Sequence, residues 1–316
     1  MKAAVLTEAG FEIRERAVPT YGDDEVLIKT TACGICSGDL FIYKNRETLA
    51  ATHSLLGHEG SGRIAGMGRR VTGFETGDVV TALGMPAYAE YFVTSADKLV
   101  ALPPEIDPAL AVGEAIACCV HAGNRFGTRP GDRVAVVGCG FMGLVCLQLV
   151  KQQGAGSILA MDPLSYRLDV AQKLGADQTL NPMAVEAEEI VAEYGEFDVV
   201  VEAAGTQSAV DLCTTLVKQH GRIILVGYHQ SNGGKRTVDM QQWNYKAIDV
   251  VNGHVRREGE KVEAMRQGME LMRRGYLETA PLVTVHDFTD IEAVFQALVS
   301  GKSELFKGVL RMEGLT

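Results

Sequence analysis

Cys36, His58 and Glu59 are the side chains of this 316-residue chain best suited to holding a metal ion, and Glu114 and Cys118 offer two further donors. They occur in Cys33-Gly-Ile-Cys-Ser-Gly-Asp39, Gly57-His-Glu-Gly60 and Gly113-Glu-Ala-Ile-Ala-Cys-Cys-Val-His121. A thiolate, an imidazole and a third thiolate or carboxylate make a zinc shell, and an open fourth position makes such a shell catalytic. Cys33 and Cys36 also read as half of a structural zinc site or as a redox pair, but no second Cys-x-x-Cys completes a four-sulfur set.

A second chemistry resides in Gly138-Cys-Gly-Phe-Met-Gly143. It lies between the strand-like run Arg133-Val-Ala-Val-Val137 and a stretch from Met142 to Gln152 with helical periodicity and no proline. Gly138 suits a tight turn, Gly140 admits a pyrophosphate close to the backbone, and Gly143 allows close helix-strand packing, with Phe141 and Met142 at the opening of the helix. Free N–H groups and the helix dipole favour the pyrophosphate at that end. Ser157-Ile-Leu-Ala-Met161 supplies a second strand, and Asp162, 19 residues after Gly143, is placed to accept both hydroxyls of the adenosine ribose. A 2′-phosphate there would meet a like charge, so NAD is expected over NADP. Arg167 complicates this because a guanidinium recruits phosphate; a solvent-facing or adenine-stacking role on the following helix is expected of it.

The elements that must position these residues fall into three stretches. Residues 1–120 contain short strands such as Glu25-Val-Leu-Ile-Lys-Thr30, Gly62-Arg-Ile-Ala65, Asp78-Val-Val-Thr-Ala82 and Ala89-Glu-Tyr-Phe-Val93, separated by Gly and Pro turns, and predict an irregular β domain. Residues 121–255 alternate strands at 133–137, 157–161, 178–180, 198–201, 222–226 and 248–251 with helical runs, predicting an α/β, doubly wound parallel sheet of six strands. Residues 256–316 predict helices near 260–274 and 290–299 and a strand near 307–312, a segment that returns to the first domain.

Composition narrows the function further. At 47% hydrophobic and 22% charged the chain reads as an ordinary soluble enzyme, and a net charge of −10 leaves no footprint for nucleic acid. No apolar run reaches the ~20 residues that span a bilayer. The apolar start at Met1 passes into Glu8 and Glu12-Ile-Arg-Glu-Arg, so it is read as a first strand and the protein as cytoplasmic. Seven cysteines, three of them inside the nucleotide pattern, are not a secreted framework.

With these motifs in place, the chain resembles the medium-chain zinc-dependent alcohol and polyol dehydrogenases over essentially its full length. The family's ligand cysteine falls on Cys36, its Gly-His-Glu motif on Gly57, His58 and Glu59, and its third-ligand cysteine on Cys118, while the glutamate used by polyol-type members falls on Glu114. Val71-Thr-Gly-Phe-Glu-Thr-Gly-Asp78, the glycine loop, Asp162 and Lys307-Gly-Val-Leu also match. The resemblance implies a GroES-like catalytic domain, a Rossmann domain, one catalytic Zn2+, NAD and a homo-dimer or homo-tetramer. It makes Cys36, His58 and Glu59 catalytic, with Asp39 orienting the shell. It also implies an oligomer joined at the open edge of the nucleotide-domain sheet, to which Leu282-Val-Thr-Val285 would add apolar surface.

Two departures carry information. Leu83-Gly-Met-Pro-Ala-Tyr-Ala-Glu90 passes straight through where many members insert a four-cysteine lobe, so no second, structural zinc is expected. Gly38 replaces the hydroxyl residue that relays the substrate proton, and Phe41 stands where a relay histidine is common, so the proton must leave through water, a substrate hydroxyl, Glu59, or a residue such as Ser37 or His53.

The implied reaction is hydride transfer between NAD and a secondary alcohol or polyol and its ketone, on a small hydroxylated or carbonyl substrate. Glu202-Ala-Ala-Gly205 and Val226-Gly-Tyr228 follow parallel strands at their carboxyl ends and are expected near the adenosine and nicotinamide portions, with Gly205 and Gly227 giving backbone clearance. His121 is expected either to touch the nicotinamide side or to pack beneath the cofactor, and Gln241-Gln-Trp-Asn-Tyr245 either lines a polyol site or starts a helix. Zinc-independent reduction of a quinone or enone, and a non-catalytic nicotinamide-binding regulator, are the alternatives.

Overall fold

The buried apolar run Ala3-Ala-Val-Leu6 opens the chain as β1 (Lys2–Thr7), paired antiparallel with β2 (Gly10–Glu15). In this computed structural model, residues 1–301 and 304–312 are described. They fall into two units, one of Met1–Ala117 with Arg257–Arg274 and the described residues from Thr279 on, the other of Cys118–Arg256 with Gly275–Glu278.

In the first unit β3 (Glu25–Gly34), α1 (Ser37–Lys44), α2 (Arg46–Leu49), β4 (Glu59–Met67), β5 (Val79–Ala82), β6 (Tyr91–Ser95) and β7 (Leu99–Ala101) precede α3 (Gly113–Gly123). α3 runs across the division of the chain at Ala117 and Cys118. The second unit contains β8 (Arg133–Val137), α4 (Phe141–Gln152), β9 (Ser157–Met161), α5 (Ser165–Leu174), β10 (Gln178–Leu180), α6 (Ala187–Tyr194), β11 (Phe197–Glu202), α7 (Gln207–Leu216), β12 (Val217–Leu225), α8 (Met240–Lys246) and β13 (Asp249–Asn252). The first unit is then completed by α9 (Glu258–Arg273), β14 (Val283–Asp287), α10 (Ile291–Ser300) and β15 (Lys307–Arg311).

The first unit's main sheet has the order β14-β15-β3-β4-β5-β7, with β6 added to β3. Its core gathers Phe11, Tyr43, Tyr88 and Phe295, whose rings pack edge-on and stacked; Phe11 and Phe295 lie 4.7 Å apart. Losing a ring like Phe295, which is fully buried, costs about 3–5 kcal/mol.

The second unit's sheet is all parallel, in the order β10-β9-β8-β11-β12-β13. Succession reverses between β8 and β11, and ligands of such sheets sit outside the carboxyl ends at that point. β8, β9 and β10 have the bounds expected from the sequence. One expectation is corrected. Residues 283–285 belong to β14, which pairs with β15 in the first unit's sheet and is not a strand of the nucleotide sheet. Among the described residues no helix is long and apolar enough to cross a membrane.

Candidate functional site

Strand register assembles the first constellation. Gly34 at the end of β3 pairs with Glu59 at the start of β4, and Val309 of β15 pairs with Gly34 from the other side. Cys36 lies two residues beyond Gly34 and His58 one residue before Glu59. Cys36 Sγ, a ring nitrogen of His58 and a carboxylate oxygen of Glu59 thereby come within 4.8 Å of one another. A Cβ at position 34 would stand 2.1 Å from Glu59 Oε2 and 2.9 Å from Val112 Cγ1, so a side chain there would displace the Glu59 carboxylate. Cys36 caps α1 and accepts the Gly38 N–H at 3.4 Å, at a helix end that favours negative charge. Cys33 is buried, and burial together with the neighbouring Glu59 pushes its thiol well up. It donates to the Gly34 carbonyl at 3.5 Å, which leaves Cys36 as the outward-facing sulfur of the pair.

Behind His58 stands a buried chain of polar groups. Asp39 Oδ1 lies 3.5 Å from His58 Nδ1, and the Tyr88 hydroxyl donates to Asp39 Oδ2 at 2.7 Å. With Nδ1 turned to Asp39, Nε2 is the nitrogen presented to a metal. Burial acts to lower the proton affinity of the ring, but Asp39 and Cys36 outweigh it and raise His58 to about 11. These surroundings ask for positive charge.

Glu59 is 2% exposed, and its Oε1 accepts from Lys307 Nζ at 2.6 Å. Burial pushes its carboxyl up, against the pull of Lys307. Its Oε2 is buried with no hydrogen-bond partner. A buried carboxylate oxygen left unsatisfied beside a sulfur and an imidazole is a donor set that a cation completes, and sulfur, nitrogen and oxygen together suit zinc.

Glu114, in the first turn of α3, is held elsewhere: its Oε1 accepts from Lys261 Nζ of α9 at 2.6 Å. Burial would raise this carboxyl, but Lys261 outweighs it and the net direction is down. Glu114 is outside the group of three mutually close donors. Cys118, one helical turn later, is half-buried and falls in the second unit. Phe41 is 41% exposed, Ser37 is exposed, and exposed His53 shares a hydrogen bond with Thr52. Two members of this network, Tyr88 and Lys261, are missed by sequence reasoning. Tyr88 lies in a segment with no regular pattern, and Lys261 lies 147 residues from its partner. Lys307 is visible only as part of the closing Lys-Gly-Val-Leu match.

The second constellation lies within the nucleotide unit. Gly138 follows β8 with φ +99°, where a Cβ would meet Ala204 N at 2.8 Å. A Cβ on Gly143 would stand 1.8 Å from Gly138 O, so α4 touches the loop backbone there. Nothing lies within 4 Å of a Cβ built on Gly140, which caps α4 without a side-chain bond and leaves the helix end open to a ligand. Phe141 is buried and Met142 half-buried in that first turn.

Asp162 is 2% exposed, and accepts from Cys139 N at 2.9 Å and Leu164 N at 3.0 Å. Burial and this carboxylate push the Cys139 thiol up to about 12. Arg167 Nη1 lies 3.3 Å from Asp162 Oδ2, an ion pair rather than a purely solvent-facing side chain. Gly138, Gly140, Asp162, Arg167, Ala203 and Thr206 line a cavity of about 580 Å³. Glu202 Oε1 accepts from Ala204 N and Gly205 N, at 3.0 and 2.6 Å, and a Cβ on Gly227 would meet Gly205 N at 2.4 Å. Gly205 and Gly227 thus make room for each other, with Val226 buried beside them. Residues 241–245 belong to α8.

Residues 142–274 match a family model described as zinc-binding dehydrogenase, and residues 22–104 match the alcohol dehydrogenase GroES-like domain. The chain is similar to an L-threonine 3-dehydrogenase of Aliivibrio fischeri (29% identity, covering 94% of each chain) and to a sorbitol dehydrogenase of Halalkalibacterium halodurans (28%, 96% of each). The fold is that of a putative zinc-binding dehydrogenase from Sinorhizobium meliloti 1021 bound to NADP, with TM-score 0.87, 22% identity and coverage of 98% of this chain and 99% of that one.

Proposed function

Since the chain belongs to the medium-chain zinc-binding dehydrogenase family, with its alcohol dehydrogenase GroES-like domain, we propose that it transfers hydride between NAD and a secondary alcohol or polyol and the matching ketone. One observation carries the proposal: Cys36, His58 and Glu59 bring a sulfur, a nitrogen and a carboxylate oxygen within 4.8 Å of one another, with Asp39 beside the imidazole. Bound zinc would make a substrate hydroxyl acidic and polarise a carbonyl in the reverse direction, while the nicotinamide accepts or returns the hydride. Cys36, His58 and Glu59 are the residues assigned to hold it. Asp39 and Tyr88 keep His58 Nε2 facing the site, and Lys307 keeps one oxygen of Glu59 occupied. Gly38 provides no hydroxyl to take the substrate proton, so that proton leaves by another route, through water, a substrate hydroxyl or a neighbouring side chain.

In the nucleotide unit, the Gly140 end of α4 is assigned to the pyrophosphate and Asp162 to the adenosine ribose. Asp162 supports NAD over NADP because its charge opposes a 2′-phosphate, and Arg167 is drawn onto that carboxylate rather than left for phosphate. A screen of secondary alcohols and polyols with both cofactors tests the reading. Turnover with NAD, NADH binding about tenfold or more tighter than NADPH, and a narrower gap in Asp162→Asn are expected. Tighter NADPH binding by the unmodified protein would transfer the recognition role to Arg167.

A further inference from the structure

Resting on the dehydrogenase reading, we propose that Lys261 is a positioning residue which holds Glu114 away from the metal, keeping the fourth coordination position open for substrate. Glu114 sits on a turn packed against the strands that carry the site. The segment leading into α3 packs on the start of β4: Ser61 Oγ donates to Pro108 O at 2.6 Å, and buried Thr81 Oγ1 lies 3.4 Å from both Gly60 O and Ala111 O. A Cβ on Gly113 would stand 2.4 Å from Thr81 Oγ1, so the first turn of α3 lies directly against the strand next to the one bearing Glu59. Yet Glu114 does not join Cys36, His58 and Glu59 in the close group. Its Oε1 instead takes Lys261 Nζ at 2.6 Å, in an ion pair whose side chains are 19% and 13% exposed for Lys261 and Glu114.

α9 is fixed so that it can deliver this lysine. Lys98 Nζ bonds Glu258 Oε1 at 2.8 Å in its first turn, and Met265 Sδ would lie 2.9 Å from a Cβ on Gly113. A carboxylate this shielded requires a positive partner. Besides Lys261, the charges that act on Glu114 include His58 and Lys307, which stand at the metal site, so a carboxylate released by Lys261 is drawn that way, and four protein ligands make a closed, structural kind of zinc site.

The test is zinc affinity by competition with a chromophoric chelator, alongside the visible spectrum of the cobalt-substituted protein with and without added imidazole. Lys261→Met is expected to bind zinc about ten- to hundredfold more tightly and to lose the spectral response to imidazole. Lys261→Arg should restore wild-type behaviour, and adding Glu114→Gln to Lys261→Met should cancel the gain. Glu114→Gln alone should keep wild-type zinc affinity and the imidazole response, a check that holds if Lys261→Met misfolds. Unchanged or weaker zinc affinity in a folded Lys261→Met, or zinc loss in Glu114→Gln, would overturn the inference. A wild-type chain that binds no zinc would sink the dehydrogenase reading itself, and this one with it.

Discussion

Gly38 concentrates the chemistry at the residue scale. It donates its N–H to Cys36 but carries no group to pass a proton onward. A hydroxyl residue would fit: a Cβ built there meets only Cys36 Sγ, at an ordinary 3.7 Å, and its backbone is not left-handed. Gly38→Ser is therefore expected to fold normally and to raise alcohol turnover about tenfold, by restoring a positioned proton acceptor. Steady-state rates with solvent deuterium as a check decide this; no change in rate or isotope effect would place the limiting step elsewhere. The donors Cys36, His58 and Glu59 were legible because ligand types stand out against an apolar background. Their supports were not. Tyr88 and Lys261 are ordinary residues until folding brings them to Asp39 and Glu114.

At the scale of elements, α4 depends on the glycine contact between Gly143 and Gly138. The obstacle to a side chain there is backbone, 1.8 Å away, which cannot swing aside. Gly143→Ala is expected to cost about 1–3 kcal/mol in chemical denaturation and to weaken NADH binding, by lifting the helix from the loop. An unaltered denaturation midpoint together with unaltered NADH affinity would contradict this. Strands of the nucleotide unit were readable because continuous buried Val and Ile runs announce parallel strands, as at Arg133–Val137. β4 was read as residues 62–65 but runs Glu59–Met67. Its Gly60, Ser61 and Gly62 break any alternation, and Gly62 is glycine because a Cβ would meet Lys29 O at 2.1 Å. The extension matters, since it carries Glu59 into register with Gly34.

At the scale of the whole molecule, the first unit draws on three separated stretches of chain. Fold class was legible from the change of period along the sequence, from short irregular strands to regular strand-helix alternation. Cross-chain placement was not, because α9 reaches α3 and β15 reaches β4 through contacts spanning 147 and 248 residues. The central claim is that this assembly works through one zinc at Cys36, His58 and Glu59. Metal analysis of the purified chain, followed by chelation and zinc readdition while alcohol-dependent NAD reduction is monitored, tests it most directly. About one zinc per chain, activity lost on chelation and regained with zinc, and neither zinc nor activity in Cys36→Ala are the results expected. Full activity after verified zinc removal, or undiminished activity in Cys36→Ala, would contradict the account.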